Sequence, residues 1–268
     1  MANVLADLAM LQKAVEALQA CHQSQGRLVV FTGAGVSRES GIPTFRDAQT
    51  GLWANYRAED LATREGFLSN PSMVWDWYDF RRNTVWDAQP NAGHFALAEL
   101  ENHFERFTLI TQNIDNLHQR AGSQRVLELH GNIFRYKCLD RNHPVSLDLL
   151  ADANASPPHC PVCNAWVRPD VVWFGEMLPE TILNQAFADA QQADVMLIAG
   201  TSGVVHPAAS IPQVAKEAGA TVIEVNPELS ALTPFVVDYF LQGPAGEILQ
   251  TLLSAFKQGV GLEVSDCG

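Results

Sequence analysis

The run Thr32-Gly33-Ala34-Gly35-Val36-Ser37-Arg38 sets two glycines at the turn between an apolar strand and the helix expected after it. Glycines at such a turn let backbone N–H groups approach a pyrophosphate, and the positive N-terminal end of the helix adds to the attraction. The spacing is not the dinucleotide fingerprint of dehydrogenases, because Arg38 stands where the third glycine would be, and no Gly-Lys-Ser/Thr follows as in a P-loop. Farther along the same loop, Phe45 can shield a reactive centre from water, and Arg46 can grip a phosphate or carboxylate with paired hydrogen bonds. A hinge aromatic packed on the core is the plainer alternative for Phe45.

Two further runs carry side chains suited to chemistry. Gln112-Asn113-Ile114-Asp115 closes an apolar segment with an amide and a carboxylate. There Asn113 and Asp115 either orient a carboxamide or ribose hydroxyls, or cap the next helix. His130 lies in Leu127-Glu128-Leu129-His130-Gly131, an apolar strand ending in glycine. An imidazole with an ordinary pKa of about 6.5 can take a hydroxyl proton near neutral pH. A histidine in that position is also a common core or surface residue. His94, His103, His118, His143 and His206 lack this context.

Tyr78 and Arg81 are three apart on a stretch with helical periodicity, hence on one face. A phenol beside a guanidinium makes a carboxylate receptor, while an aromatic core face with a surface arginine is the alternative. Of five cysteines, Cys138, Cys160 and Cys163 crowd into one segment, with Cys21 and Cys267 far away. An odd number so distributed favours metal binding or free thiols over disulfides.

These residues need a frame. The apolar runs Arg27 to Phe31, Phe107 to Ile110, Val195 to Ala199 and Thr221 to Val225 read as buried parallel strands separated by crossover segments. They predict an α/β fold, a Rossmann-like doubly wound parallel sheet whose ligands bind at the carboxyl ends of the strands. Its core takes in about 20–52, 91–132 and 169–260, with a helical insertion over about 53–90 and a small Cys-containing module over about 133–168. In the first twenty residues, Val4, Leu5, Leu8, Leu11, Val15 and Leu18 recur at helical spacing, which predicts an amphipathic helix rather than a secretory signal. The expectation is therefore a cytoplasmic protein, monomeric and without a membrane span. With 268 residues, 47% hydrophobic and 18% charged, the chain has the make-up of a globular enzyme, not of a disordered or fibrous protein. Thirty acidic against 17 basic residues leave a net charge of −13, which disfavours direct nucleic-acid binding and suits cationic, lysine-rich partners.

The loop from Thr32 to Asp47 is very similar to the signature loop of the sirtuins, the NAD-dependent protein deacylases. Thr111 to His118, Glu128 to Asn132, Val172 to Glu176, Gly200-Thr201-Ser202 and Glu224-Val225-Asn226 follow in the family's order. The resemblance covers nearly the whole chain after residue 25. It implies that NAD is consumed as a co-substrate, held by Gly33, Ala34, Gly35, Ser37, Phe45, Arg46, Gln112, Ile114, Gly200, Thr201, Ser202, Asn226 and Ala245. Asn113 and Asp115 then sit around the nicotinamide and its ribose. His130 is the general base that activates a ribose hydroxyl after the acyl-lysine carbonyl oxygen has displaced nicotinamide. The products are nicotinamide, free lysine and O-acyl-ADP-ribose.

On the same resemblance, Val172, Trp173, Phe174, Gly175 and Glu176 offer an extended edge to the substrate peptide. Tyr78-Asp79-Phe80-Arg81 matches the Tyr-x-x-Arg pattern of the class III, desuccinylase and demalonylase branch, with small Ala62 leaving pocket volume. Most sirtuins bind a structural zinc with two Cys-x-x-Cys pairs. Here Cys160-Pro161-Val162-Cys163 is intact, but Arg141 replaces the last cysteine of the first pair. One zinc per chain would need His143, His159 or Asp140 as fourth ligand; otherwise packing holds the module together. Two other functions fit the same NAD site: ADP-ribosyl transfer to a protein side chain, and a binding module without turnover, against which His130, Asn113 and Asp115 argue.

Overall fold

The computed structural model of the chain describes residues 2–43, 57, 61–146 and 156–263. Helix α1 (Ala2–Gln23) leads to strand β1 (Arg27–Thr32), and a 3-10 helix (Ala34–Ser40) follows at once. Helices α2 (Arg64–Ser69), α3 (Pro71–Asp87) and α4 (Ala92–Glu101) precede β2 (Arg106–Thr111), α5 (Leu117–Arg120) and β3 (Val126–Glu128). Next come β4 (Gly131–Cys138), β5 (Pro144–Val145) and β6 (Val167–Val171). The chain then runs through α6 (Glu180–Gln191), β7 (Val195–Ala199), α7 (Ser210–Glu217), β8 (Thr221–Asn226), α8 (Thr233–Val236), β9 (Tyr239–Gln242) and α9 (Ala245–Glu263).

Six parallel strands pair in the order β3-β2-β1-β7-β8-β9. The order reverses between β1 and β7, and at such a switch point the loops at the strands' carboxyl ends splay apart to leave a crevice. Alternate residues of each strand feed two cores. Leu28 and Val30 of β1, with Leu109, Leu197 and Val225, pack under α1, α4 and α9. Val29 and Phe31 face the other way, with Met196, Ile198 and Val222, against α6 and α7. Burial on both faces is why these strands read as continuous apolar runs.

On α1 the buried stripe is Ala14, Val15, Leu18 and Cys21, with Leu11 partly covered. Leu8, expected on that stripe, is 56% exposed because the helix has by then run past the strands it covers; the side chains of Val4 and Leu5 lie outside the described residues. In the insertion, Thr63 Oγ1 caps α2 and Asn70 Oδ1 caps α3, whose first residue is Pro71. Pro90, three residues past α3, cannot continue it. The small Cys-containing module holds a three-stranded antiparallel sheet, β5-β4-β6. Strand β4 carries the alternation Phe134-Arg135-Tyr136-Lys137-Cys138, whereas β5 has two residues and β6 places Arg168, Pro169 and Asp170 among its five. No helix among the described residues is long and apolar enough to cross a membrane.

One side chain ties the insertion's exit to the loop after β1. Asn91 Oδ1 caps α4 by accepting from Gly93 and His94 N–H, while its Nδ2 donates to Val36 O at 2.8 Å and Ser40 Oγ at 3.0 Å. Asn91→Ala should therefore lower stability to denaturant by about 2 kcal/mol, roughly one cap and one buried bond. Asn91→Asp, which keeps the cap and loses the donor, should fall between wild type and Ala; equal losses for Asp and Ala would show that the cap carries nothing.

Candidate active site and metal centre

The loop after β1 is held against the loop after β7 by backbone alone. Gly33 N donates to Ala199 O at 3.1 Å, Gly35 N to Gly200 O at 2.8 Å, and Gly200 N to Val225 O at 3.1 Å. A Cβ on Gly35 would lie 2.7 Å from Gly200 O, so only glycine permits the approach. The Ala34 N–H, first of the 3-10 helix, takes no bond among the described residues and points the helix's positive end into the crevice.

Behind this cradle, Ser37 is the node of a buried polar cluster. Its Oγ donates to Asp115 Oδ2 at 2.7 Å and accepts from Asn113 Nδ2 at 3.1 Å. The other Asp115 oxygen accepts from Leu117 N at 3.0 Å, so this carboxylate holds both the first N–H of α5 and Ser37. Burial raises the Asp115 pKa, opposed by the hydrogen bonds from Leu117 and Ser37. His94 and His118, set aside on sequence, belong to this cluster. His94 Nδ1 accepts from Asn91 N at 3.2 Å, leaving its Nε2–H 3.4 Å from Ser37 Oγ. Burial brings the His94 pKa down to about 4, so the ring is neutral at pH 7. His118 Nε2 meets Thr32 Oγ1 at 3.0 Å; Thr32 donates to Thr111, which in turn accepts from Asn113 N. Burial holds His118 well below the ordinary range as well. The readable signal was Asn91-x-x-His94, a capping box ending in the site.

Gln112 Nε2 donates to Thr201 Oγ1 at 2.9 Å, and Asn226 Nδ2 donates to Thr201 O at 2.7 Å. Asn226 is held in turn by Glu224, a wholly buried carboxylate that also accepts from Thr233. The predicted Gly33, Ala34, Gly35, Ser37, Gln112, Asn113, Asp115, Gly200, Thr201 and Asn226 are thus brought together at the carboxyl ends of β1, β2, β7 and β8. Ile114 leans toward the core of the insertion, its carbonyl accepting from Ile133 N, and Ser202 O accepts from Ala231 N. The Ala245 side chain packs in the core under the sheet, and the next N–H, of Gly246, donates to Glu39 Oε2 at 2.6 Å. Phe45 and Arg46 lie outside the described residues.

His130 stands where β3 hands over to β4. The turn depends on Gly131, whose φ of +79° and contact with Asp170 O leave no space for a side chain. His130 Nδ1 donates to Gln112 O at 2.8 Å, which fixes the tautomer and leaves Nε2 as acceptor. Burial lowers its pKa despite that bond, so the imidazole is neutral at pH 7. Its carbonyl accepts from Val172 N at 2.9 Å.

The segment Val172–Glu176 differs from the open edge expected. Trp173 N donates to Glu176 Oε2 at 2.9 Å and Phe174 N to Ala62 O at 2.9 Å, and Gly175 turns the chain with φ +84°. With Val172 N on His130 O and Glu176 N on Trp173 O, four of its N–H groups are used inside the chain, and the Trp173 side chain is buried. Ala62, Tyr78 and Trp173 share one apolar cluster, with Arg81 Cζ 5.1 Å from the Trp77 ring centroid. Tyr78 and Arg81 interact electrostatically; burial pushes the phenol up to about 12 and pulls the guanidinium down from its usual value.

In the small module, Cys138, His143 and Cys160 converge with donor atoms within 4.8 Å of one another. Cys163 Sγ lies 3.4 Å from Cys138 Sγ, and His143 Nε2 lies 3.1 Å from Cys160 Sγ. These separations are slightly shorter than the edges of a zinc tetrahedron, roughly 3.5–3.8 Å from its bond lengths. Burial raises the Cys160 thiol, but N–H groups of Val162 and Cys163 together with His143 prevail and bring it down to about 6. Cys138, His143 and Cys160 fit zinc, while Cys163, beside Cys138, falls outside this mutual group of three. The other two candidates for a further ligand are engaged elsewhere: His159 Nδ1 donates to Asn164 O and its ring stacks on Trp166, and Asp140 pairs with Arg64. Bound by four protein ligands, a zinc ion would hold the β4–β5 hairpin to the Cys160 turn and have no open position for chemistry.

Residues 33–207, more than half of the chain, match the model of the Sir2 family. The chain belongs to that family. It is 51% identical over 234 residues to an NAD-dependent protein deacylase of Pyrococcus furiosus, covering 86% of this chain and 93% of that one. With NAD-dependent protein deacylase 1 of Pseudomonas aeruginosa it shares 50% identity over 233 residues, 85% and 93% of the two chains. Among solved structures, a Sir2 homologue in complex with NAD superposes with a TM-score of 0.79 at 46% identity over 87% and 90% of the chains. A Sir2 protein bound to an acetylated peptide gives 0.75 at 30% identity over 87% and 94%. Sir2 membership accounts for the ordered motifs; Arg141 in place of the last cysteine of the first Cys-x-x-Cys pair is this chain's own departure.

His143→Ala should release zinc at chelator concentrations that the wild type withstands, whereas His159→Ala should retain it, measured as zinc per chain by mass spectrometry. The opposite pattern would transfer the ligand to His159.

Proposed function

We propose that the chain is an NAD-dependent protein-lysine deacylase that removes succinyl and malonyl groups as well as acetyl groups. The observation that carries the reading is the setting of His130. Its Nδ1–H is fixed on Gln112 O, its ring is neutral, and its Nε2 has no partner among the described residues, so a lone pair is available to accept a proton. Bound NAD supplies an electrophilic ribose carbon with nicotinamide as leaving group. Ala34 N–H and the 3-10 helix face its pyrophosphate, and Asn226 with Thr201 offers hydrogen bonds to the far ribose. Asn113 and Asp115, locked by Ser37, hold the nicotinamide side. His130 then takes the proton of a ribose hydroxyl at Nε2. Phe45 and Arg46, outside the described residues, keep the roles that the family resemblance implies for them, Phe45 that of excluding water.

For the acyl group, Tyr78 and Arg81 supply a hydroxyl donor and a cation from one face of α3, and Ala62 adds volume beside them. A terminal carboxylate matches that pair; an acetyl methyl has nothing to offer it. The peptide approaches along Val172–Glu176. Thiols kept as metal donors suit a reducing compartment, the cytoplasm.

Arg81→Met should lower kcat/KM for succinyl-lysine peptide relative to acetyl-lysine peptide by roughly ten- to a hundred-fold, the worth of a charge-assisted hydrogen bond. A ratio unchanged from wild type would remove the carboxylate receptor from the account.

A further inference from the structure

The phenol assigned to the acyl pocket is not free to choose its hydrogen-bonding role. Trp173 Nε1 donates to Tyr78 Oη at 2.9 Å, and both side chains are almost wholly buried. An indole N–H is a donor only, so the tyrosine hydroxyl must be the acceptor there and cannot turn its own proton back along that line. Among the described residues Tyr78 Oη makes no other hydrogen bond.

The indole is itself clamped. The Arg168 guanidinium lies 3.2 Å from the Trp173 ring centroid and is 1% exposed. It donates to both carboxylate oxygens of Glu176, at 2.5 and 3.0 Å, and to Val171 O. One of those oxygens also accepts the Trp173 backbone N–H at 2.9 Å. On another side the Phe67 ring packs with its centroid 5.4 Å away. Ring plane and backbone are thus both fixed, and with them the direction from which Tyr78 is addressed.

Resting on the reading of Tyr78 and Arg81 as receptor for an acidic acyl group, we propose that Trp173 is a positioning residue for acyl selection. By occupying an acceptor site of Tyr78 Oη, it presents the phenol to the pocket as a hydrogen-bond donor. A carboxylate accepts hydrogen bonds and cannot donate them, so it is the ligand this arrangement favours. Accepting the indole proton also polarises the phenolic O–H and strengthens the bond it gives. Burial keeps that proton in place at neutral pH, with the phenol pushed up to about 12.

The test is a double-mutant cycle with Trp173→Phe, Tyr78→Phe and the pair, read as the ratio of kcat/KM for succinyl-lysine over acetyl-lysine peptide. Trp173→Phe should lower the ratio roughly three- to ten-fold, the range of one hydrogen bond, chiefly through KM for the succinyl peptide. In the Tyr78→Phe background the same change should leave the ratio where it is. If Trp173→Phe lowers the ratio equally with and without the Tyr78 hydroxyl, or leaves it unmoved in wild type, the inference fails. A Tyr78→Phe ratio equal to wild type would instead defeat the carboxylate-receptor reading beneath it. Should Trp173→Phe not fold, benzothienylalanine at position 173 keeps the bicyclic ring and replaces only the N–H, with the same two outcomes.

Discussion

The site depends on how closely two backbones meet at the switch point of the sheet. Gly35 and Gly200 pack against each other with no space for a Cβ, and the bonds Gly33 to Ala199, Gly35 to Gly200 and Gly200 to Val225 join three strand ends in a row. That contact fixes where the 3-10 helix starts, and with it the Ala34 N–H, which takes no bond among the described residues. It also brings Ser37 over the end of β2, where Asn113 and Asp115 await it. A side chain at Gly35 would move the cradle and the polar node together.

The second constraint is the exit of the chain from the parallel sheet at His130. The Gly131 turn against Asp170, the Gln112 carbonyl and the Val172 N–H grip this residue from three directions. His130, the end of β2 and the segment before Glu176 are thereby one unit. The small sheet begins at the same turn, so the Cys-containing module bears on the site: β4 and β6 carry Gly131 and Val171, paired with each other, at their ends nearest His130.

Much of this was legible in the sequence. Strands buried on both faces gave unbroken apolar runs, and their carboxyl ends were marked by the residues that now line the crevice. Strand β9, by contrast, is four residues long and half-exposed at the sheet edge, too short to announce itself. In the small sheet the alternation Phe134-Arg135-Tyr136-Lys137-Cys138 of β4 was legible, whereas β6, with Arg168, Pro169 and Asp170 in five residues, was not. Ser37 was legible as a loop residue but not as a bridge, since its partners lie 76 and 78 residues away. His94 and His118 looked idle because burial, which makes them neutral hydrogen-bonding pieces, is a tertiary property. Of the three candidates for a further metal donor, packing places His143 beside Cys160, His159 against Trp166 and Asp140 against Arg64, none of which the spacing announces. Trp173 read as part of a peptide-binding edge; its buried indole and the arginine stacked on it have no signature in the chain.

The most direct measurement is the mass of the products formed when the protein is incubated with NAD and acetyl-, malonyl- or succinyl-lysine peptide. The account predicts deacylated peptide, nicotinamide and the matching O-acyl-ADP-ribose in equal amounts. Nicotinamide release with the acyl group still on the peptide, whether ADP-ribose is joined to the peptide or set free, would contradict it.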